Sequence, residues 1–378
     1  MNHITINKQR LIEEFMELVR IDSETGNEQE IASVLKEKFS KLGLEVIEDD
    51  AKSKTGHGSG NLICTLKGTK EAVDPIYFTS HMDTVVPGKG VRPSIKDQYI
   101  VSDGKTILGA DDKAGLAAIL ETIRSLKENK VEHGDVQFVI TVGEESGLVG
   151  AKALDKQLLY AKFGYAIDSD GDVGDIIVKA PSQAKLYVEI KGKPAHAGVA
   201  PEKGISAITL AAKAIAKMPL GRIDEDTTAN IGRFEGGKQT NIVCDYVKIL
   251  AEARSLVPEK INKQLEIMKH IFESTAESYG GEAKVDIKMM YTGFSHSAGE
   301  EVVEVARSAA KKIGRTSKLL KSGGGSDANI ISSYGIPTVN LAVGYEEIHT
   351  VNERIHVDNL EKITELVYAI IIEVANKA

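Results

Sequence analysis

Between about residues 180 and 293 the sequence changes rhythm, and that change restricts the folds open to the whole chain. "KLYVEIKGK" alternates apolar and polar residues as a half-buried strand does, and "GISAITLAAKAIAKM" follows with helical spacing. "TANIGRFEGG" and "NIVCDYVKILAEARS" are strand-like, "KINKQLEIMKHIFESTAESYG" is helical, and "EAKVDIKMMYTG" closes the block as a strand. The order β-α-β-β-α-β predicts a ferredoxin-like α+β sandwich. On either side of it short apolar strands alternate with helices, the pattern of an α/β domain with a mostly parallel sheet and flanking helices. The 378 residues exceed one ordinary core. The expected architecture is therefore a discontinuous domain, 1–179 and 294–378, carrying an inserted domain at 180–293.

In the outer pieces, Leu11, Phe15 and Leu18 keep helical spacing, and Leu116, Ile119, Leu120, Ile123 and Leu126 share one helical face. "DVQFVITVGEE" and "YGIPTVNLAVG" read as short buried strands. Asp358 and Glu361, three residues apart, have capping-box spacing and predict the start of the last helix. Hydrophobic residues at 42% and charged residues at 27% suit a globular enzyme. A formal charge of −8 argues against a nucleic-acid surface, which needs clustered Lys and Arg. Cys64 and Cys244 form no C-x-x-C pair, which excludes a thiolate zinc knuckle and suits a reducing compartment. The N-terminal segment carries acids and reads as no signal peptide, and no apolar stretch approaches the ~20 residues of a membrane span. The expectation is a cytoplasmic protein without membrane or nucleic-acid partners.

Chemistry collects where strands end. "YFTS" leads to His81 and Asp83, "FVITVG" to Glu144 and Glu145, "YAI" to Asp168 with Asp170 nearby, and "VNLAVG" to His349. "GADDKAG" places Asp111 and Asp112 just before the Leu116 helix. In open α/β sheets ligands gather beyond the carboxyl ends of the strands. Each feature alone has an ordinary explanation: a hydrogen-bonded histidine, a solvated acidic loop, an N-cap. Carboxylates brought to one sheet edge would nevertheless repel without a cation. Two imidazoles with several carboxylates suit zinc, cobalt or manganese better than calcium. Two ions sharing a bridging carboxylate would use this many ligands and hold a hydroxide between them, with Glu144 or Glu145 as general base. The reaction class is metal-assisted hydrolysis.

At these residues the chain resembles the di-zinc exopeptidase family of peptidase T, glutamate carboxypeptidase and the aminoacylases. "SHMDTV", "GADDKAG", "GEESGLVGA", "AHAGVAPEKG" and "IHTVNE" occur in that family's order and spacing, and "GADDKAG" with "GGGSDAN" is most similar to peptidase T-like aminopeptidases. The resemblance implies a zinc-exopeptidase-like catalytic domain with an inserted lid and dimerisation domain. It implies that His81, Asp111, Glu145, Asp168 and His349 bind two divalent ions, with Asp111 bridging, Asp83 orienting the His81 ring and Glu144 as general base. It also implies that His196 reaches a partner subunit's site to stabilise an oxyanion, making the protein a homodimer. Asn241 and Arg254 would hold a substrate carboxylate, and Gly323, Gly324 and Gly325 would form a backbone loop beside the substrate. Asp112, Asp170 and His356 match no ligand position.

The sequence departs from peptidase T in "AHAGVAPEKGISA", which is closer to the carboxypeptidase and aminoacylase branches, and in "AIDSDGDVGDI", which has an extra residue. The leading expectation is an aminopeptidase for short peptides, a tripeptidase in the first instance. An N-acyl amino acid deacylase or carboxypeptidase of the same family, and an inactive metal-binding scaffold, are the alternatives. "GGSDA" around Ser326 approaches a serine nucleophile elbow but ends in Ala328. "GKT" at Gly104 is no P-loop, because Tyr99 stands where a glycine is needed.

Overall fold

The computed structural model describes residues 5–377. The chain forms two compact units: one comprises the chain up to Lys179, Ser295–Lys321 and Ser326 onward, and the other comprises Ala180–Phe294 with Ser322–Gly325. The glycine segment 323–325, expected in the outer domain, thus groups with the smaller unit. The reason is local: a Cβ on Gly325 would fall 2.3 Å from Cζ of Tyr291, so only glycine allows the backbone to lie against that ring.

The larger unit is built on a mixed, mostly parallel sheet. Its neighbouring strands run in the order Glu45–Glu48, Leu62–Leu66, Val136–Thr141, Ile76–His81, Phe163–Ser169, Thr338–Ala342, Ile176–Ala180. The inner four, from Val136–Thr141 to Thr338–Ala342, are parallel to one another, so their carboxyl ends open on one edge. Ile76–His81, Val136–Thr141 and Thr338–Ala342 are buried along their whole length, as parallel strands covered on both faces must be. Helix Ala110–Glu128 packs on the Ile76–His81 strand, on helix Lys8–Arg20 and on helix Val357–Lys377. Leu11, Phe15 and Leu18 lie in that core, with Leu116, Ile119, Leu120, Ile123 and Leu126 of the Ala110–Glu128 helix.

The last helix begins at Val357, directly after the strand Arg354–His356, so the expected capping box at Asp358 does not form. Lys8 takes both carboxylates, Asp358 at 2.5 Å and Glu361 at 2.9 Å. A small second sheet pairs Tyr345–Glu346 with Arg354–His356, and Arg354–His356 with Tyr99–Val101. Residues 347–353 are the loop of that hairpin, and His349 sits in it with φ 61°.

The smaller unit follows the expected order: strand Ser182–Lys191, helix Ala207–Ile215, strands Thr227–Gly236 and Tyr246–Ser255, helix Pro258–Ser278, strand Glu282–Tyr291. Ser182–Lys191 lies between Tyr246–Ser255 and Glu282–Tyr291, antiparallel to both. Leu186, Val188, Ile190, Met268 and Phe272 are among its core residues. The strand read from Asn241 begins only at Tyr246; before it, Asn241–Val243 pair with the loop at Ala195–Ala197 instead.

Candidate metal centre

His81 is the last residue of its strand and is 2% exposed. Its Nδ1 lies 2.9 Å from the Asp83 carbonyl oxygen, whereas the Asp83 carboxylate is 3.6 Å away. The ring is therefore held by the backbone of Asp83. The Asp83 carboxylate, expected to orient the ring, mainly accepts the backbone N–H groups of Glu144 (3.0 Å) and Glu145 (3.2 Å). It clamps the turn after the neighbouring strand.

The other His81 nitrogen, Nε2, faces Asp111 Oδ1 at 3.0 Å and Asp168 Oδ1 at 3.7 Å. Asp111 Oδ2 lies 3.1 Å from His349 Nε2, which is also 2.9 Å from Glu145 Oε1. Ligand atoms of His81, Asp111 and Asp168 lie within 4.8 Å of one another, as do those of Asp111, Glu145 and His349. Asp111 thus turns one oxygen to each group. Asp111 opens the Ala110–Glu128 helix with non-helical φ/ψ, after Gly109 in a left-handed turn, and its peptide bond to Asp112 is cis. Asp112 points away: its carboxylate accepts the N–H of Gly115 at 3.3 Å. Asp168 is fixed by Asn340, whose side chain accepts the Asp168 N–H (2.9 Å) and donates to its carbonyl (2.6 Å).

The charge balance has the character of a cation site. Burial pushes the Asp168 carboxyl up to about 7, against the pull of His81 and with help from Asp111 and Asp327. Burial, followed by the charge of Asp168, raises Glu144 well above the usual carboxylate range. For His349 the hydrogen bonds to Asp111 and Glu145 outweigh burial and raise the imidazole to about 10. Burial disfavours a charged His81, yet Asp111, Asp168 and Asp83 together hold its pKa well above the usual value. Glu145 Oε1 is buried without a well-directed hydrogen bond. Each group offers one imidazole nitrogen and two carboxylates, a donor set that suits zinc, cobalt or manganese. The His349 side chain is 48% exposed, so the second group opens to solvent. The residues present fit two divalent ions bridged by Asp111.

Two buried carboxylates escaped the sequence reading. Asp327 accepts the Thr141 hydroxyl at 2.5 Å and has its other oxygen unpartnered. Burial lifts it to about 6. Glu353, 1% exposed, accepts the N–H groups of Leu108, Gly109 and Asp111. Glu353 closes the stretch "IHTVNE" and Asp327 lies in "GGGSDAN", but the sequence assigns neither a role, because the partners of both carboxylates are far away in the chain. Ser326, the candidate serine nucleophile, caps helix Asp327–Ser333 in a capping box with Asn329 and receives a hydrogen bond from Asn340. His356 stacks edge-on against Tyr99 at 5.0 Å, in a structural role.

His196, Asn241, Arg254 and Gly323–Gly325 belong to the smaller unit. His196 and Asn241 are exposed neighbours: Ala197 N–H donates to the Asn241 carbonyl at 2.9 Å. Arg254 already holds Glu252 through Nε at 2.9 Å and approaches the Gly323 carbonyl at 3.4 Å through Nη1. It is a paired cation and not a bare one.

Residues 77–373 match the model of peptidase family M20/M25/M40. The structure is similar to that of aminopeptidase PepT from Bacillus cereus, at 68% identity and TM-score 0.94, covering 98% of this chain and 99% of that one. It is similar to a tripeptidase from Staphylococcus aureus, at 54% identity and TM-score 0.96 with the same coverage. Peptidase T of Geobacillus thermodenitrificans is 28% identical over 413 residues, 96% of this chain and 98% of its own. With a metal-ligand constellation at the sheet edge and this match over most of its length, the chain is a metallopeptidase and belongs to peptidase family M20/M25/M40.

Proposed function

We propose that the protein is a metal-dependent aminopeptidase that releases the first residue of short peptides with free N-termini, tripeptides foremost. The observation that carries the chemistry is Asp111, one carboxylate turned to two ligand groups. The choice of substrate rests on the full-length similarity to an aminopeptidase and a tripeptidase. In this reading His81, Asp111 and Asp168 hold one ion, and Asp111, Glu145 and His349 the other; zinc is the first candidate, cobalt and manganese the alternatives. The bound ions would polarise the scissile carbonyl and lower the pKa of water. Glu144 takes the proton of the attacking water and returns it to the leaving amine. Its pKa, raised by burial and then by the charge of Asp168, suits a group that must both accept and release a proton.

Asn241 precedes the strand Tyr246–Ser255, and Arg254 lies near its far end. Eight strand steps at ~3.3 Å separate Tyr246 from Arg254 by about 26 Å. An extended tripeptide spans only about 10 Å. One copy therefore cannot bring both residues to the same short peptide, and the reading assigns Arg254 to one copy and His196 with Asn241 to the other. That supports a homodimer through the smaller unit, with His196 stabilising the oxyanion. Cys64 and Cys244 are unpaired, which favours the cytoplasm. No helix among the described residues is long and apolar enough to cross a membrane.

The test is product analysis on a free tripeptide, its N-acetyl form and an N-acetyl amino acid, each with zinc, cobalt or manganese and again after chelation. Metal-dependent release of the first residue from the free tripeptide is expected. Faster turnover of the blocked substrates would replace this reading by the deacylase or carboxypeptidase one.

A further inference from the structure

Glu353 joins two loops that lie more than 240 residues apart in sequence. Its Oε1 accepts the Asp111 N–H at 2.9 Å, and its Oε2 accepts the N–H groups of Leu108 (2.8 Å) and Gly109 (2.7 Å). Both oxygens are engaged and the residue is 1% exposed, so it is neither a spare ligand nor a base. Its own loop is short and closed by the pairs Tyr345↔Ile355 and Glu346↔Arg354. That loop also carries His349, whose Nε2 meets Asp111 Oδ2 at 3.1 Å. Asp111 is thus gripped twice by one hairpin: through its side chain by His349 and through its main chain by Glu353.

We propose that Glu353 is a positioning residue: it fixes Asp111 against the His349 hairpin and so sets the affinity for the ion held by Asp111, Glu145 and His349. Without it three buried N–H groups lack an acceptor, and the turn leading into Asp111 is free to move relative to His349. Asp111 belongs to both groups, but only the second takes its histidine from the hairpin that carries Glu353. His81 and Asp168 lie on strands of the larger sheet, so the His81–Asp111–Asp168 group depends on Glu353 less. The inference rests on the two-ion reading above.

The experiment titrates metal-free protein with Co²⁺, following its visible absorption and the heat of binding, in the wild type, Glu353→Gln, Glu353→Asp and Glu121→Gln. Glutamine cannot accept at both ends, and aspartate keeps the charge but falls short by one methylene. Glu121 is a control: a wholly buried carboxylate on the same helix, bound to Arg10, the Asn7 N–H and Ser125. Loss of an outer support typically weakens metal binding by about 10–100-fold. The expected result is a loss of that size for one Co²⁺ equivalent in both Glu353 variants, with the other equivalent and Glu121→Gln changed less than about threefold. Two unchanged equivalents in either folded Glu353 variant would overturn the inference, as would an equal loss in Glu121→Gln. If neither Glu353 variant folds while Glu121→Gln does, the residue serves the fold itself and the assignment falls. If the wild type binds no Co²⁺, it is the two-ion reading that fails.

Discussion

Asp83→Asn removes one charge and turns one acceptor into a donor without changing the size of the side chain. In the structure the two carboxylate oxygens accept from successive peptide groups, Glu144 N–H at 3.0 Å and Glu145 N–H at 3.2 Å, and Asp83 is 0% exposed. An asparagine accepts from one of them and turns its NH₂ toward the other. Loss of a charge-assisted bond costs ~1.5–3 kcal/mol and a stranded donor ~1–3 kcal/mol. Glu145 is partly exposed, so water offsets some of the second cost. The net loss is about 3 kcal/mol. A misplacement of about 1 Å at a catalytic group costs on the order of 100-fold in rate. The metal-loaded variant should therefore show a lower urea midpoint and a roughly 100-fold lower kcat on a tripeptide, with KM much less affected. After chelation the stability loss should shrink, because Asp83 shares this sheet edge with Asp111, Asp168 and Asp327, and one negative charge fewer relieves their repulsion. Circular dichroism in urea, with and without metal, together with steady-state kinetics reads all three effects. A variant with wild-type midpoint and wild-type kcat would refute the clamp.

Glu144→Gln and His196→Ala should each be nearly inactive alone, yet their mixture after subunit exchange should recover activity, because a mixed dimer holds one site with both groups intact. No recovery, with exchange verified by mass, would place His196 in its own subunit's site. Gly325→Ala puts a methyl against the Tyr291 ring and should raise KM at least several-fold, while Gly323→Ala, with nothing within 4 Å, should be neutral in the same assay. Burial raises the Glu48 carboxyl, but Lys36, the Gly60 N–H and Ser59 outweigh it and hold it at about 2. A depressed carboxyl stabilises above its unfolded pKa of ~4.3 and loses that contribution as pH falls toward the folded value. The melting-temperature gap between wild type and Glu48→Gln should be full at pH 6 and reduced by about half or more at pH 3. Because the pair is partly solvated, the gap itself should be modest.

The parallel sheet was legible because a strand buried on both faces must be apolar throughout, as "VQFVIT" and "TVNLA" are. The candidate ligand groups were legible where a strand's end and an ionisable residue coincide in sequence, at His81, Glu145 and Asp168. Glu353 and Asp327 were not, since their partners are loop N–H groups and a threonine hydroxyl supplied from 186 to 245 residues away. For Asp83 the residue could be read but not the atom: whether carbonyl or carboxylate meets the imidazole depends on how the chain turns after His81. Asp358 misled because capping-box spacing says nothing of Lys8, and the helix starts straight from a strand. At Asn241 the alternation continues into residues that have no long partner strand, so the pattern outran the sheet.

The strand Thr338–Ala342 lies between Phe163–Ser169 and Ile176–Ala180, which leave the ribosome some 170 residues before it. At ~5–20 residues per second, the flanks of those two early strands wait on the order of ten to thirty seconds for their native neighbour. During that interval the chain carries two unpaired apolar edges, each a template for wrong pairing. The smaller unit, with a core of its own, is synthesised in the meantime and can fold before the sheet around its attachment is finished. The larger unit is thereby a late-closing structure, whose sheet is joined up only after the inserted smaller unit has been made. Exposure to mispairing during synthesis follows from the position of one five-residue strand.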